Sequence, residues 1–265
     1  MTRALLTLKV LRKASGMNMS REMAYKWNFF IKMGATLLQD FIGPIIILLI
    51  YSTTSGIPGW TFYEFLLFQG TLTLVMGVGH FLFVGIPVEV IHNIRNGTFD
   101  KYLLNPVNVL VYLTVIAMDW DGLAQVFSGI VLLVIAFAKL NIALISYGML
   151  AYAILVLLAF LFQYAVMILV SALAFLMIQS WALLDLFFKL ADLARYPSNV
   201  YGSGVQFFIT FLFPVSISAF YPAQALLNGF NLLPVLKVGI PVIIFFLFSL
   251  WLWKAAMKKY ASAGG

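Results

Sequence analysis

The chain has 265 residues, of which 63% are hydrophobic, 16% aromatic and 9% charged, with a mean hydropathy of +1.04. Soluble domains are about a quarter charged, so this balance excludes a water-soluble globular fold and makes lipid the solvent for most of the surface. The net charge of +7 is what anionic headgroups on one side of a membrane attract, so nucleic acid is not expected as a partner, and the absence of cysteine excludes disulfides and cysteine-based zinc sites.

In chain order, the first predicted element is basic. Arg3, Lys9, Arg12 and Lys13 interleave with Leu5, Leu6, Leu8 and Leu11, which predicts an amphipathic helix lying in the headgroup plane. With the stretch Arg21 to Lys32 it makes a cytoplasmic N-terminal segment over residues 1–32, either a membrane-surface anchor or a contact for a cytoplasmic partner. No small-residue cleavage site follows it, so the segment is expected to be retained.

A helix needs about 20 apolar residues to cross the hydrocarbon layer. Six stretches qualify: Met33 to Tyr51, Phe62 to Val88, Gly122 to Ala138, Tyr147 to Leu176, Gly204 to Leu226 and Val238 to Trp253. The fold class is therefore all-α, a polytopic membrane protein forming a single transmembrane domain over residues 1–265. Arginines and lysines of short loops stay on the cytoplasmic side. The basic residues before the first span, Arg95 and Lys101, Lys189 and Arg195, and Lys254, Lys258 and Lys259 all fall on one side in this topology. Lys139 and Lys237 alone fall opposite, which predicts cytoplasmic N- and C-termini; the membrane expected is a bacterial or archaeal plasma (inner) membrane.

Asp40 lies within the first span, four residues before Pro44. An acid at that depth is costly, so it is either satisfied inside the bundle or takes part in substrate handling or gating. Glu89, His92 and Arg95 cluster at the inner end of the second span, either as a polar network coupling loop movement to span movement or as groups simply solvated at the interface, and Glu89 joins Asp40 as a candidate for substrate or gating work. Gly77, Gly79 and Gly85 read as close-packing positions in that span.

Residues 89–121 form a cytoplasmic segment. Gly97 permits a tight turn, Thr98 is placed to cap a short helix from Phe99 to Leu104, and Asn105-Pro106 reads as the cap and first turn of the next. Tyr102, Leu103 and Leu104 then form an apolar knob able to enter a groove on another protein. Starting the third span at Gly122 keeps Asp119 and Asp121 at the interface, leaving Val109 to Met118 as an interfacial or buried helix.

Residues 179–203 are read as a second cytoplasmic element. Asp185, Lys189, Asp192 and Tyr196 share one face of an amphipathic helix from Ser180 to Arg195, ended by Tyr196-Pro197, which is expected to lie on the inner membrane surface. Asp185 and Lys189 are spaced for an ion pair. Two histidines, His80 and His92, are too few for a histidine metal cluster, and no G-x-x-x-x-G-K-[ST] occurs, so the chain holds no phosphate loop.

The run IRNGTFDKYLLNPVN from Ile94 to Asn108 resembles the I-x-x-G-x-[LF]-D-x-x-L-L-x-P-V-N segment of ABC-2 type ABC transporter permeases. Weaker similarity extends over AYKWNFF from Ala24, Asp119 and Asp121, Tyr196-Pro197, Phe213-Pro214-Val215 and Tyr221-Pro222-Ala223. The resemblance implies a six-span exporter permease that pairs with a second permease, identical or homologous, and with two separate ABC ATPase subunits. It implies an ATPase-coupling role for the segment, carried by Arg95, Gly97, Asp100, Leu103, Leu104, Pro106 and Asn108, with Tyr102 on the same short helix. Asn105 stands where the family motif often has a basic residue. No cofactor is expected in this chain, since ATP and Mg would be bound by the partner ATPase; the chain is then a transport subunit rather than an enzyme. The cargo expected is hydrophobic or amphipathic, a drug, a lipid or similar. A secondary transporter or channel is the alternative, which would show inverted repeats or broken polar helices at mid-membrane.

Overall fold

The computed structural model describes residues 3–177 and 180–260, and among these the chain is helical with no strand. Helix α1 is Arg3–Met23. The side chains of Arg3, Leu5, Leu6 and Leu8, which carry much of its expected apolar and basic pattern, lie outside the described part, as does the tail 261–265.

Five helices are long and apolar enough to cross a membrane. They are α2 (Lys26–Thr53), α3 (Phe62–Arg95), α6 (Gly122–Leu140), α7 (Tyr147–Ala174) and α11 (Leu232–Lys259). Short helices α4 (Asp100–Leu103) and α5 (Val109–Ile116) separate α3 from α6. Local chemistry sets the ends. Thr61 opens α3 with a capping box, in which its backbone N–H donates to Glu64 at 2.7 Å and its hydroxyl accepts from the Glu64 N–H at 3.4 Å. Asn141, with φ of 51°, takes the left-handed conformation that closes α6. Within α3 the hydrogen-bond ladder widens to a π-turn over His80–Val84. Pro87 explains it: the ring lacks the N–H that Phe83 would accept and crowds the preceding turn.

The fifth passage differs from the expected one. Gly204 to Leu226 is not one helix but a hairpin of two short ones, α9 (Ser203–Leu212) and α10 (Phe220–Leu227), broken at Phe213-Pro214. Proline ends the first arm by removing a donor, and the Ser216 hydroxyl folds back to the Ile209 carbonyl at 2.8 Å. The Phe213 ring at the bend meets Phe162 of α7 and Phe245 of α11, both in the middle of their helices. Phe220 on the returning arm meets Trp60, in the loop joining α2 to α3. The hairpin therefore dips into the bundle from the Trp60 face and returns to it.

What links the faces instead is α8 (Ser180–Ala191) with the 3-10 turn Asp192–Arg195. The Ser180 hydroxyl donates to the Met177 carbonyl at 2.7 Å beyond the end of α7, whereas Asn199 accepts from the Trp60 indole at 3.2 Å on the opposite face. Leu184, Phe187, Ala191 and Ala194 are buried in the core shared with Trp60. This corrects the expectation of a helix lying flat on the N-terminal face. The apolar face that suggested a surface helix is buried against other helices, and Arg195 after it pairs with Asp192 at 2.7 Å. No Asp185–Lys189 ion pair forms among the described residues. α8 thus joins the five long helices as a link between the two ends of the bundle, and Tyr260 at the end of α11 lies beside Phe99 on the N-terminal face.

Antiparallel α3 and α6 form the most extensive contact. Gly70 and Gly77 of α3 lie against Leu132–Leu133 and Gln125–Val126 of α6, and Gly122 and Gly129 of α6 lie against Phe81 and Leu74 of α3. A Cβ on Gly77 would come within 2.6 Å of the Val126 nitrogen, and one on Gly122 within 2.4 Å of the Phe81 nitrogen. Without a hydrophobic force between helices in lipid, such backbone approach is the main source of association. Gly79 and Gly85 serve the same purpose against Gln163 and the Ala117 carbonyl.

Candidate functional site

The segment after α3 is built on buried aromatics. Gly97, with φ of 65°, turns the chain back, and the Thr98 N–H donates to the Asn93 carbonyl at 2.9 Å. Thr98 does not cap α4 as expected; its hydroxyl donates to Asn93 Oδ1 at 2.7 Å, and Phe99 occupies the cap position. Asn105-Pro106 does not start α5 either. Asn108 does so, its Oδ1 accepting from the Leu110 N–H at 3.0 Å, while Asn105 donates to the Lys101 carbonyl.

Tyr102 is buried rather than part of an exposed knob. Its hydroxyl donates to Glu89 Oε2 at 2.8 Å, and Asn93 Nδ2 donates to the hydroxyl at 3.0 Å and to Glu89 at 3.0 Å. Burial first, and then the neighbouring Glu89 carboxylate, push the Tyr102 phenol well above its ordinary value of 10, so it remains a donor. Leu103 and Leu104 project outward, 42% and 85% exposed. Arg95, Pro106 and Asn108 are exposed beside them, with Asp100 half-buried.

Phe99, fully buried and missed by sequence reasoning as an anchor, joins this segment to three helices. Its ring lies 5.0 Å from Phe175 and 5.4 Å from Tyr260, and Phe175 lies 5.6 Å from Trp253. These residues share a second core with Ile86, Val90 and Ile91 of α3. The available signal was the apolar position at Phe99 in the motif; its partners lie about 75 to 160 residues away and leave no local trace.

The turn from Ala117 to Asp121 gathers α1, α2 and α3. Asn18 of α1, itself buried, donates to the carbonyls of Ile116 at 2.5 Å and Met118 at 3.1 Å, and accepts from the Trp120 indole at 2.9 Å. Lys32 of α2 reaches Asp121 at 3.5 Å, and His80 of α3 reaches Asp119 at 3.4 Å. The hydrogen bond from His80 holds the Asp119 carboxyl below its ordinary value of 3.8. α6 begins at Gly122, so both acids stand before the helix as the sequence suggested. Asn18 was not singled out from sequence, since a lone asparagine on a helix carries no pattern.

Asp40 and Glu89 are not brought together. Glu89 belongs to the Tyr102 network, whereas Asp40 lines an open cavity of about 540 Å³ bordered by α2, α3, α6, α7 and α8. Polar side chains from α2, α3, α6 and α7 face it, including Gln39, Gln69, Gln125, Gln163 and His80, with Asp192 and Arg195 from the turn after α8. The glutamines were missed because each sits singly in an apolar run; only the helix arrangement collects them. Among the described residues no group of three or more His, Asp or Glu could hold a metal.

No curated protein matches the chain. The profile of the ABC-2 family transporter protein matches residues 37–264, from within α2 to beyond α11. With most of its length covered by that match and its long apolar helices forming a membrane bundle, the chain belongs to the ABC-2 transporter family, as a membrane permease subunit of an ABC transporter.

Proposed function

We propose that the chain is the permease of an ATP-driven exporter for a hydrophobic or amphipathic substrate. It would act in a bacterial or archaeal inner membrane with both termini cytoplasmic, paired with a second permease and with two ATPase subunits that bind ATP and Mg. The observation that carries this reading is the contrast across α4 and its two caps: Tyr102 and Phe99 are sunk into the bundle while Leu104 beside them is 85% exposed.

That contrast suits a mechanical link. Exposed leucines fit a groove on an ATPase, and apolar anchors of this kind dominate docking energies when they fill a pocket. Displacement of Leu103 and Leu104 would be carried by Phe99 and Tyr102 into the ends of α3, α7 and α11, because a close-packed core transmits strain. The π-turn at His80–Val84 gives α3 a defined place to bend, next to the polar cavity. Lipid would cover the exposed apolar faces of α2 and α11.

The test is ATP-dependent uptake into inside-out vesicles carrying the permease and its P-loop ATPase. The account expects uptake to require both chains and to fail with Leu104→Asp. Uptake driven by an ion gradient without the ATPase would favour a secondary transporter, the reading that Asp40 in a membrane cavity would serve.

A further inference from the structure

The charged groups facing the cavity are unevenly matched. Arg195 is paired with Asp192 at 2.7 Å and His80 with Asp119 at 3.4 Å. Asp40 is in no ion pair among the described residues, and its Oδ2 is buried without a hydrogen-bond partner. Ser128 of α6 hydrogen-bonds the Asp40 carboxyl, and the already engaged His80 of α3 is its other polar neighbour, so Oδ2 alone is unmet. Pro44 adds a second acceptor, because it lacks the N–H that would complete the helical hydrogen bond to the Asp40 carbonyl.

Hydrogen-bonding capacity is also in surplus around it. The side chains of Gln39, Gln69 and Gln125 make no hydrogen bond among the described residues, and Gln163 donates only to the Met76 sulfur at 3.2 Å. Thioether sulfur is a weak acceptor. Leu72, Met76, Val84, Phe187 and Phe188 supply an apolar part of the same wall. The volume falls in the range of small-molecule sites.

We infer that this cavity binds the protonated amine of an amphiphile, with Asp40 as counter-ion, the glutamine amides as hydrogen-bonding partners and Phe187 and Phe188 against the apolar part. This rests on the permease reading and names the substrate class of that pathway. An anion would meet cationic groups that already hold carboxylates, and would sit against the unpaired Asp40. A protonated amine supplies the counter-charge that Asp40 lacks and a donor for its unmet Oδ2, at a depth where a carboxylate without a counter-ion is costly. A quaternary ammonium supplies charge without donors and should bind more weakly.

The probe is dansylcadaverine, a fluorescent amphiphile with one primary amine, compared with its N-acetylated form. Fluorescence titration would use the full chain in phosphatidylcholine nanodiscs, without ATPase. The wild-type chain should bind the amine roughly tenfold or more tightly than the acetylated form, the scale of one charge-assisted hydrogen bond. Asp40→Asn should bring the two probes to equal affinity, Asp40→Glu should retain the preference, and Leu104→Asp should bind as wild type. No amine preference in the wild-type chain, or an unchanged preference in Asp40→Asn, would overturn the inference. The wild-type comparison needs no variant to fold. Amine-selective binding without ATP-dependent transport would overturn the exporter reading and support this site; ATP-driven transport without amine selectivity would overturn this inference alone.

Discussion

Tyr102 donates its phenolic hydrogen to Glu89 at 2.8 Å, tying the short helix that carries the exposed leucines to the last turns of α3. Asn93 bridges the same two groups, so three polar atoms in an apolar setting satisfy one another. Removing one of them should loosen the link before it unfolds the protein.

Tyr102→Phe keeps the ring among its aromatic neighbours and deletes only the hydroxyl. The expected cost is about 1–2 kcal/mol of stability, since Glu89 and Asn93 lose a buried partner. Thermal unfolding in detergent should show this modest loss, while ATP-driven transport falls with ATPase association retained. The phenol is held above 10, so the native hydrogen bond should persist through neutral pH. Sign and window follow from that direction: its contribution is full below pH 10 and is lost as pH rises through the raised native value.

The α3–α6 seam should be intolerant of side chains. Gly77→Leu or Gly122→Leu would push against backbone atoms that a single Cβ already approaches within 2.6 and 2.4 Å. Overpacking of this kind costs about 1–3 kcal/mol. A lowered unfolding temperature is expected for each, whereas Gly202→Ala, where a Cβ meets nothing within 4 Å, should be nearly neutral.

Asn18 holds α1 against the turn at Ile116 to Trp120 through three hydrogen bonds. Asn18→Ala would leave two part-buried carbonyls and an indole N–H without this partner, at a cost of about 1–3 kcal/mol. Protease digestion should then cut between Met23 and Trp27 faster than in wild type, with the long helices unaffected. Equal cleavage rates would show that α1 is held by other contacts.

The apolar runs that became α2, α3, α6, α7 and α11 were readable because each is long enough to cross a bilayer alone. The fifth passage was not. Ser180 to Arg195 carries Asp185, Lys189, Asp192 and Arg195, so charge marked it as a surface helix, while the more apolar Gly204 to Leu226 resembled a span. Packing decided otherwise: Phe213-Pro214 breaks the apolar run, and Phe187 and Ala191 find a core. Hydropathy counts residues, whereas burial depends on neighbours that are distant in sequence. The same limit applies to the sites. Gly97, Leu103 and Leu104 were legible as a local motif, but Phe99 meeting Tyr260, and Gln39 and Gln163 lining one cavity, follow only from the assembled bundle.

The most direct test of the account is recovery of the co-expressed P-loop ATPase with affinity-tagged permease from detergent-solubilised membranes, comparing wild type with Leu104→Asp. Leu104 is 85% exposed, so the substitution should leave insertion and unfolding temperature unchanged. The account predicts stoichiometric ATPase with the wild-type chain and its loss with the variant. Equal ATPase recovery by a normally inserted Leu104→Asp chain would contradict the assignment of this segment as the ATPase contact.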